Sequence, residues 1–202
     1  MTKARKTKKE VRKTSEYAPW EDIAFDHETN GLYHEATVMH SLVLKCLVTG
    51  AVMSCADQPG FTPIAEGLEV LSKAKRVSGH NIIRHDIPTA KKLYRWWGLR
   101  DDVDIWDTLV LARLLKPADT LRRDDLFRVK RDELPANLKG AHSLKAWGYR
   151  LGVFKGAYGE QEEAWDHWSP EMQEYCEGDV AVTEALVRYL EDILERQDWG
   201  SA

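Results

Sequence analysis

The chain has 202 residues, 43% of them hydrophobic and 31% charged, and a formal net charge of -4. That length fits one domain with a sizeable core and excludes a second large one, and no apolar run approaches the roughly 18 residues of a membrane span. Cys46, Cys55 and Cys176 are odd in number and show no CxxC spacing, which disfavours a disulfide framework or a zinc knuckle and fits a reducing cytoplasm.

The first 16 residues carry Lys3, Arg5, Lys6, Lys8, Lys9, Arg12 and Lys13 against Glu10 and Glu16, a net of +5 that leaves -9 on the rest of the chain. No apolar segment follows them, so residues 1–20 read as a disordered basic tail rather than a secretory signal. Such an arm adds a phosphate attraction that weakens as salt rises. Residues 22–26 read as a short buried strand that delivers Asp26 and Glu28 at its end, with both on one face and His27 on the other. Residues 39–48 and 51–56 are apolar runs joined by Thr49-Gly50, a hairpin signal, and together with the first strand they predict three neighbouring antiparallel strands.

Pro63 stands where a helix begins, and Ile64, Leu68 and Leu71 recur at helical spacing before residues 76–79 return to a strand. A second helix over 87–97, with Pro88 in its first turn, and a strand over 103–106 complete a strand-helix-strand-helix-strand run, which implies parallel crossovers. The expected fold class is therefore α/β, with a central mixed five-stranded sheet flanked by helices. Residues 116–141 are rich in charge, Pro and Gly, show no clean period, and read as an extended surface loop with one short helix. A helix is expected over 143–151. A long one is expected over 170–195, opened by Ser169-Pro170-Glu171 and carrying Tyr175 and Asp179.

Three acidic segments, around Asp26 and Glu28, around Asp86, and around Tyr175 and Asp179, point to one chemistry. Clustered carboxylates repel unless cations neutralise them, and two magnesium or manganese ions about 3.5 to 4 Å apart both activate water and stabilise a leaving oxygen in phosphodiester hydrolysis. Hard cations take oxygen ligands and magnesium keeps several waters, so Asp26, Glu28, Asp86 and Asp179 suffice, with Asp26 bridging and Asp86 holding the second ion largely through water. Tyr175 and Asp179 are four apart and share a helix face. An ordinary phenol, with a pKa of about 10, is a poor base at neutral pH, so the tyrosine is expected to orient the attacking water. Each segment alone has a plainer explanation: a solvated strand end, a helix N-cap at Asp86, an exposed pair on a helix.

Their order and placement resemble the 3'-5' exonucleases of the DEDD superfamily, in the tyrosine-bearing subclass with a ribonuclease H-like three-layer fold. More closely, residues 22–194 are similar to the proofreading domain of Pol I-type (family A) DNA polymerases, the phage ones above all. Ile105-Trp106-Asp107-Thr108-Leu109-Val110-Leu111-Ala112-Arg113-Leu114 and His142-Ser143-Leu144-Lys145-Ala146-Trp147-Gly148-Tyr149-Arg150-Leu151-Gly152 carry that similarity as well. The resemblance implies an exonuclease domain over 21–202, with Asp26, Glu28, Asp86 and Asp179 as metal ligands and Tyr175 orienting water. Thr29, Leu32 and Asn81 would contact the terminal nucleotides, Leu32 as a wedge between the last two bases.

It also implies a single-stranded or frayed DNA 3' end as substrate, nucleoside 5'-monophosphates as products, and a phage protein working in the bacterial cytoplasm. No polymerase domain follows residue 202, so the chain reads either as an excised domain or as a free-standing exonuclease, and the favoured expectation is a stand-alone protein that trims ends or proofreads for a separate DNA polymerase. The alternatives are an RNA-trimming relative of the ribonuclease D type and a catalytically silent adaptor that docks on DNA or a polymerase. His80 and His85 are not expected to ligate magnesium. Core packing is the commoner role for tryptophan, and Trp165 and Trp168 are the best candidates for the substrate side.

Overall fold

The short apolar runs assemble into one mixed sheet with strand order β3-β2-β1-β4-β5 in the computed structural model, which describes residues 16–153 and 165–196. The strands are β1 (Asp22–Thr29), β2 (Met39–Cys46), β3 (Val52–Cys55), β4 (Arg76–Gly79) and β5 (Asp104–Asp107). Between and after them come α1 (Ile64–Ser72), α2 (Asp86–Leu93), α3 (Thr108–Leu115), α4 (Ala118–Lys130), α5 (Leu144–Leu151) and α6 (Pro170–Arg196). β1 pairs antiparallel with β2, as does β2 with β3, while β4 runs parallel to both β1 and β5. This is the ribonuclease H-like α/β arrangement expected from the sequence.

Side chains alternate across β1. Ile23 and Phe25 join Leu42, Leu44, Ile64, Leu68 and Val77 in the core beneath α1. Ala24 meets Val43, Cys176, Val180 and Val187 on the other face, under α6. Each fully buried leucine, valine or phenylalanine contributes roughly 1.5–3 kcal/mol relative to exposure, so the two faces hold β1 from both sides. A third cluster, with Ala112, Leu121, Trp147, Val182 and Leu186, joins α3, α4 and α5 to the far side of α6.

Two local features create a crevice at the end of β1. Pairing of β1 with β4 stops at Ala24 opposite Ser78, so β4 leaves the sheet before Asp26 is reached. Gly79 makes that exit possible, because a Cβ there would stand 2.2 Å from Ile82 Cγ2 and 2.9 Å from the Phe25 carbonyl oxygen. Crevices beyond the carboxyl ends of parallel strands, where neighbouring connections diverge, are the usual ligand sites of α/β sheets.

The structure departs from the sequence reading in three places. Residues 116–141 contain a full helix, α4, of 13 residues rather than an extended loop. Of α4 only Leu121 and Asp125 are buried, so no apolar period marks it. It is held instead by the Asp125 carboxylate, which accepts from Arg150 Nε at 3.0 Å and Nη2 at 2.8 Å and from the Gly140 N–H at 2.8 Å. Packing also begins before residue 21, since Tyr17 is buried with its ring 5.1 Å from the Arg76 guanidinium. β1 continues to Thr29, so Asp26 and Glu28 lie within the strand. Residues 1–15 of the basic tail lie outside the described residues. Among the described residues no helix is long and apolar enough to cross a membrane.

Candidate active site

Asp26 and Glu28 follow Ala24 on the α6-facing side of β1, both half-buried, and the second turn of α6 brings Cys176 against them. One ligand atom from each of the three lies within 4.8 Å of the others. Carboxylate oxygens suit hard divalent cations. The Cys176 thiol is a softer donor than such cations prefer. Burial, reinforced by the Asp26 and Glu28 carboxylates, pushes it well above the ordinary thiol range, so it keeps its proton. It spends that proton on the Asp26 carbonyl, at 3.5 Å. α6 also presents Asp179, 5% exposed, into the cleft that Asp26 lines. Tyr175 sits one turn earlier, its ring edge-on to Trp165 with centroids 5.9 Å apart and planes at 74°.

The loop from β4 to α2 forms the neighbouring wall, and Asp107 builds it. This buried carboxylate caps α3 through the N–H groups of Leu109 and Val110, and it also accepts the N–H groups of Asn81 and Ile83, both at 3.1 Å. Asn81, held there at a left-handed φ of 70°, lines the cleft. Asparagine tolerates that conformation better than most residues. Asp86 opens α2 and is buried. It lies outside the Asp26, Glu28 and Cys176 triplet.

Its nearest described partner is His27. As the strand alternation predicts, His27 faces away from Asp26 and Glu28, yet it does not face away from every candidate ligand. Its Nε2–H donates to the Asp86 carbonyl at 3.1 Å and lies 3.7 Å from Oδ1. That Oδ1 is buried with no hydrogen-bond partner among the described residues, a donor atom available to a cation or its water. His85 packs on His27 with ring centroids 5.7 Å apart, and burial holds its imidazole below the ordinary range, which favours the neutral ring.

The loop after β1 carries Leu32, whose side chain is 71% exposed. Apolar exposure of that degree costs the free protein and leaves the residue available to a base face. The loop is tied by Asn30, which accepts the N–H groups of Thr37 and Val38, and by Lys92 of α2. The Lys92 ammonium donates to the carbonyls of Tyr33, His34 and Ala36 at 2.8, 3.1 and 2.8 Å. The Thr29 hydroxyl is spent inside the turn, donating to the Gly31 carbonyl at 2.8 Å. Thr29 therefore shapes the loop, and its own hydroxyl proton is already used.

The cleft, of about 450 Å³, has a second wall that no acidic motif announces. Leu109 and Arg113, one turn apart on α3, face it together with His80 and with His142 and Ser143 at the start of α5. Leu109 and Arg113 come from one of the longer stretches that carry the resemblance, and His142 and Ser143 from the other. The spacing of Leu109 and Arg113 at i and i+4 was a readable sign that the two share a face.

Known proteins resemble this chain in sequence and in fold. No family model matches the chain. Two curated relatives do. The chain is 31% identical to the DNA-directed DNA polymerase of Escherichia phage T7 over 187 residues, covering 83% of this chain and 26% of that protein. It is 32% identical to the DNA-directed DNA polymerase of Enterobacteria phage T3 over 188 residues, with the same coverage. The chain is thus homologous to one segment of phage-type DNA polymerases. It spans about a quarter of the length of these relatives. A solved structure of the apo form of a nuclease shares the fold, with a TM-score of 0.57 and 22% identity over 91% of this chain and 76% of its own.

Proposed function

We propose that this chain is a metal-dependent 3'-5' exonuclease that removes nucleoside 5'-monophosphates from single-stranded or frayed DNA. The homology and the fold are those of a nuclease. The observation that carries the finer reading is the placement of Asp26 and Glu28 in one tight cluster, with Asp179 from α6 lining the same cleft as Asp26. Two stretches of chain far apart in sequence, β1 and α6, converge there, and a cation or a positively charged substrate group makes such a convergence useful.

The donor set fits magnesium or manganese, being oxygen-rich, with its one thiol held neutral. Asp26, Glu28 and Asp179 would hold one ion, and Asp86, through its buried Oδ1, would hold the second largely through water. Bound there, the two ions would supply an activated water and charge stabilisation for the leaving oxygen. The protein's own part is positional. Tyr175, fixed against Trp165, aims the water by a hydrogen bond. Leu32 separates the last bases, and Asn81 meets the terminal nucleotide from the loop that Asp107 holds. Base faces and backbone charge are recognised without reading sequence, as frayed ends require.

The relatives suggest a DNA polymerase context for this activity. The deciding test is digestion of DNA and RNA strands labelled at either end, in magnesium, manganese or EDTA. Release of 5'-monophosphates from the 3' end of DNA only with metal is the expected result. Metal-independent cleavage, 5' release, or preference for RNA would each overturn the corresponding part of the assignment.

A further inference from the structure

A metal centre of four carboxylates that binds two divalent ions is close to neutral, so it offers a phosphate backbone little net attraction beyond the reacting group. The remaining phosphates of a strand need a fixed positive charge elsewhere in the same cleft. Among the described residues that line it, Arg113 is the one permanently charged cation. Its guanidinium makes no hydrogen bond or ion pair with the described residues, although Asp26 and Asp179 line the same cleft. A guanidinium that is not consumed by the fold keeps its planar fork for a ligand oxygen.

The groups around it match that use. His142 Nδ1 is buried without a hydrogen-bond partner among the described residues. The same ring lies within electrostatic range of Arg113 and is held below the ordinary imidazole range, by burial first and by Arg150 and Arg113 after it. It therefore adds a neutral hydrogen-bonding edge rather than a competing charge. His80 is oriented by a relay. The Thr108 hydroxyl donates to the Gly79 carbonyl at 3.1 Å, so it accepts from His80 Nδ1–H at 3.0 Å. Thr108 thereby fixes the ring plane at the cleft wall. Leu109, one turn before Arg113 on α3, lines the same cleft.

We infer that Arg113, flanked by His80 and His142, forms a subsite for a backbone phosphate of the strand, across the cleft from the carboxylates. The subsite sets affinity and register rather than the chemical step. It rests on the nucleic-acid reading of the cleft given above, and it extends that reading to a residue outside the acidic motifs.

The test uses the full chain and two measurements. Binding of a fluorescein-labelled ten-residue oligothymidylate in EDTA is followed by anisotropy across a salt series, and digestion of the same oligonucleotide is followed in magnesium. Arg113→Gln is expected to weaken binding roughly tenfold, the loss of one charge-assisted hydrogen bond, and to reduce the salt slope by about 0.7. Its KM should rise in proportion with kcat nearly unchanged. Arg113→Lys should restore the slope while recovering only part of the affinity, and Arg113→Glu should be weaker than Arg113→Gln. A merely structural role would leave the slope alone. An Arg113→Gln protein with wild-type affinity and slope overturns the subsite, whatever its digestion rate. A wild-type chain that binds with this Arg113 dependence but never digests DNA upholds the subsite and overturns the nuclease assignment instead.

Discussion

At the start of β1, Asp22 lies fully buried against the guanidinium of Arg76, whereas four residues along the same strand Asp26 converges with Glu28 and a protonated thiol. Asp22 receives Arg76 Nε at 2.8 Å and Nη2 at 2.6 Å, Glu191 of α6 takes Nη2 at 2.7 Å, and the rings of Tyr17 and Trp106 stack at 5.1 and 4.6 Å. Everything there closes on itself. At the other end, β4 has turned away and the carboxylates face a cleft. One pole of the strand is built for stability and the other is built at stability's expense, which is the pattern expected where acids are gathered to receive a ligand.

Substitutions at the two poles should therefore move different observables. The largest effect belongs to Asp26→Ala, which should lower digestion of a 3'-labelled strand by at least about 10³-fold, equivalent to roughly 4 kcal/mol of barrier. Its thermal midpoint should match or exceed that of the wild type, because a repelling carboxylate has gone. A substantial fall in the midpoint would erase the contrast between the poles. Arg76→Ala is the reciprocal case. It leaves Asp22 buried without its partner and should cost about 3 kcal/mol, a drop of roughly 6–12 °C for a chain of this size. Digestion measured well below the midpoint should persist. Thermal melting and initial rates on the same samples decide the matter.

Smaller effects sharpen the site itself. Tyr175→Phe should slow turnover about 10- to 100-fold with KM little changed, since only the water's orientation is lost. A variant with wild-type turnover would remove the tyrosine from the chemistry. Leu32→Ala, at an exposed position, should leave the midpoint unchanged and raise KM about fivefold, the equivalent of about 1 kcal/mol of base contact. Because Lys92 holds the Leu32 loop through three carbonyls, Lys92→Met should raise KM by a similar factor by freeing that loop. If Lys92→Met changes only the midpoint, the loop does not depend on that anchor.

Much of the fold was legible because its signals are local. Apolar runs at residues 22–26 and 39–48, the Thr49-Gly50 turn and the Ile64, Leu68, Leu71 period each report one element without reference to another. α4 was not legible because its attachment is a buried ion pair between Asp125 and Arg150, 25 residues apart, and two buried positions make no period. The same holds for the site. Asp26, Glu28, Tyr175 and Asp179 stood out as acidic and phenolic groups at spacings that share one face of a strand or a helix. Arg113 and His142 did not, since an arginine on a helix and a histidine before one are ordinary until a cleft places them together.

The order of the strands, the mixed sheet and the candidate acidic motifs were legible in the sequence alone, because periodicity and turn chemistry act over a few residues. Tertiary structure decided what each acid means. Register ended the β1–β4 pairing at Ala24 and opened the crevice, and the path of α6 set Cys176 beside Asp26 and Glu28. His27 met Asp86 around the edge of the strand, and Asp22 received the Arg76 guanidinium. Carboxylates four residues apart on one strand look alike in sequence, and only the charges brought to them from distant segments separate an acid paired inside the fold from one that faces a cleft.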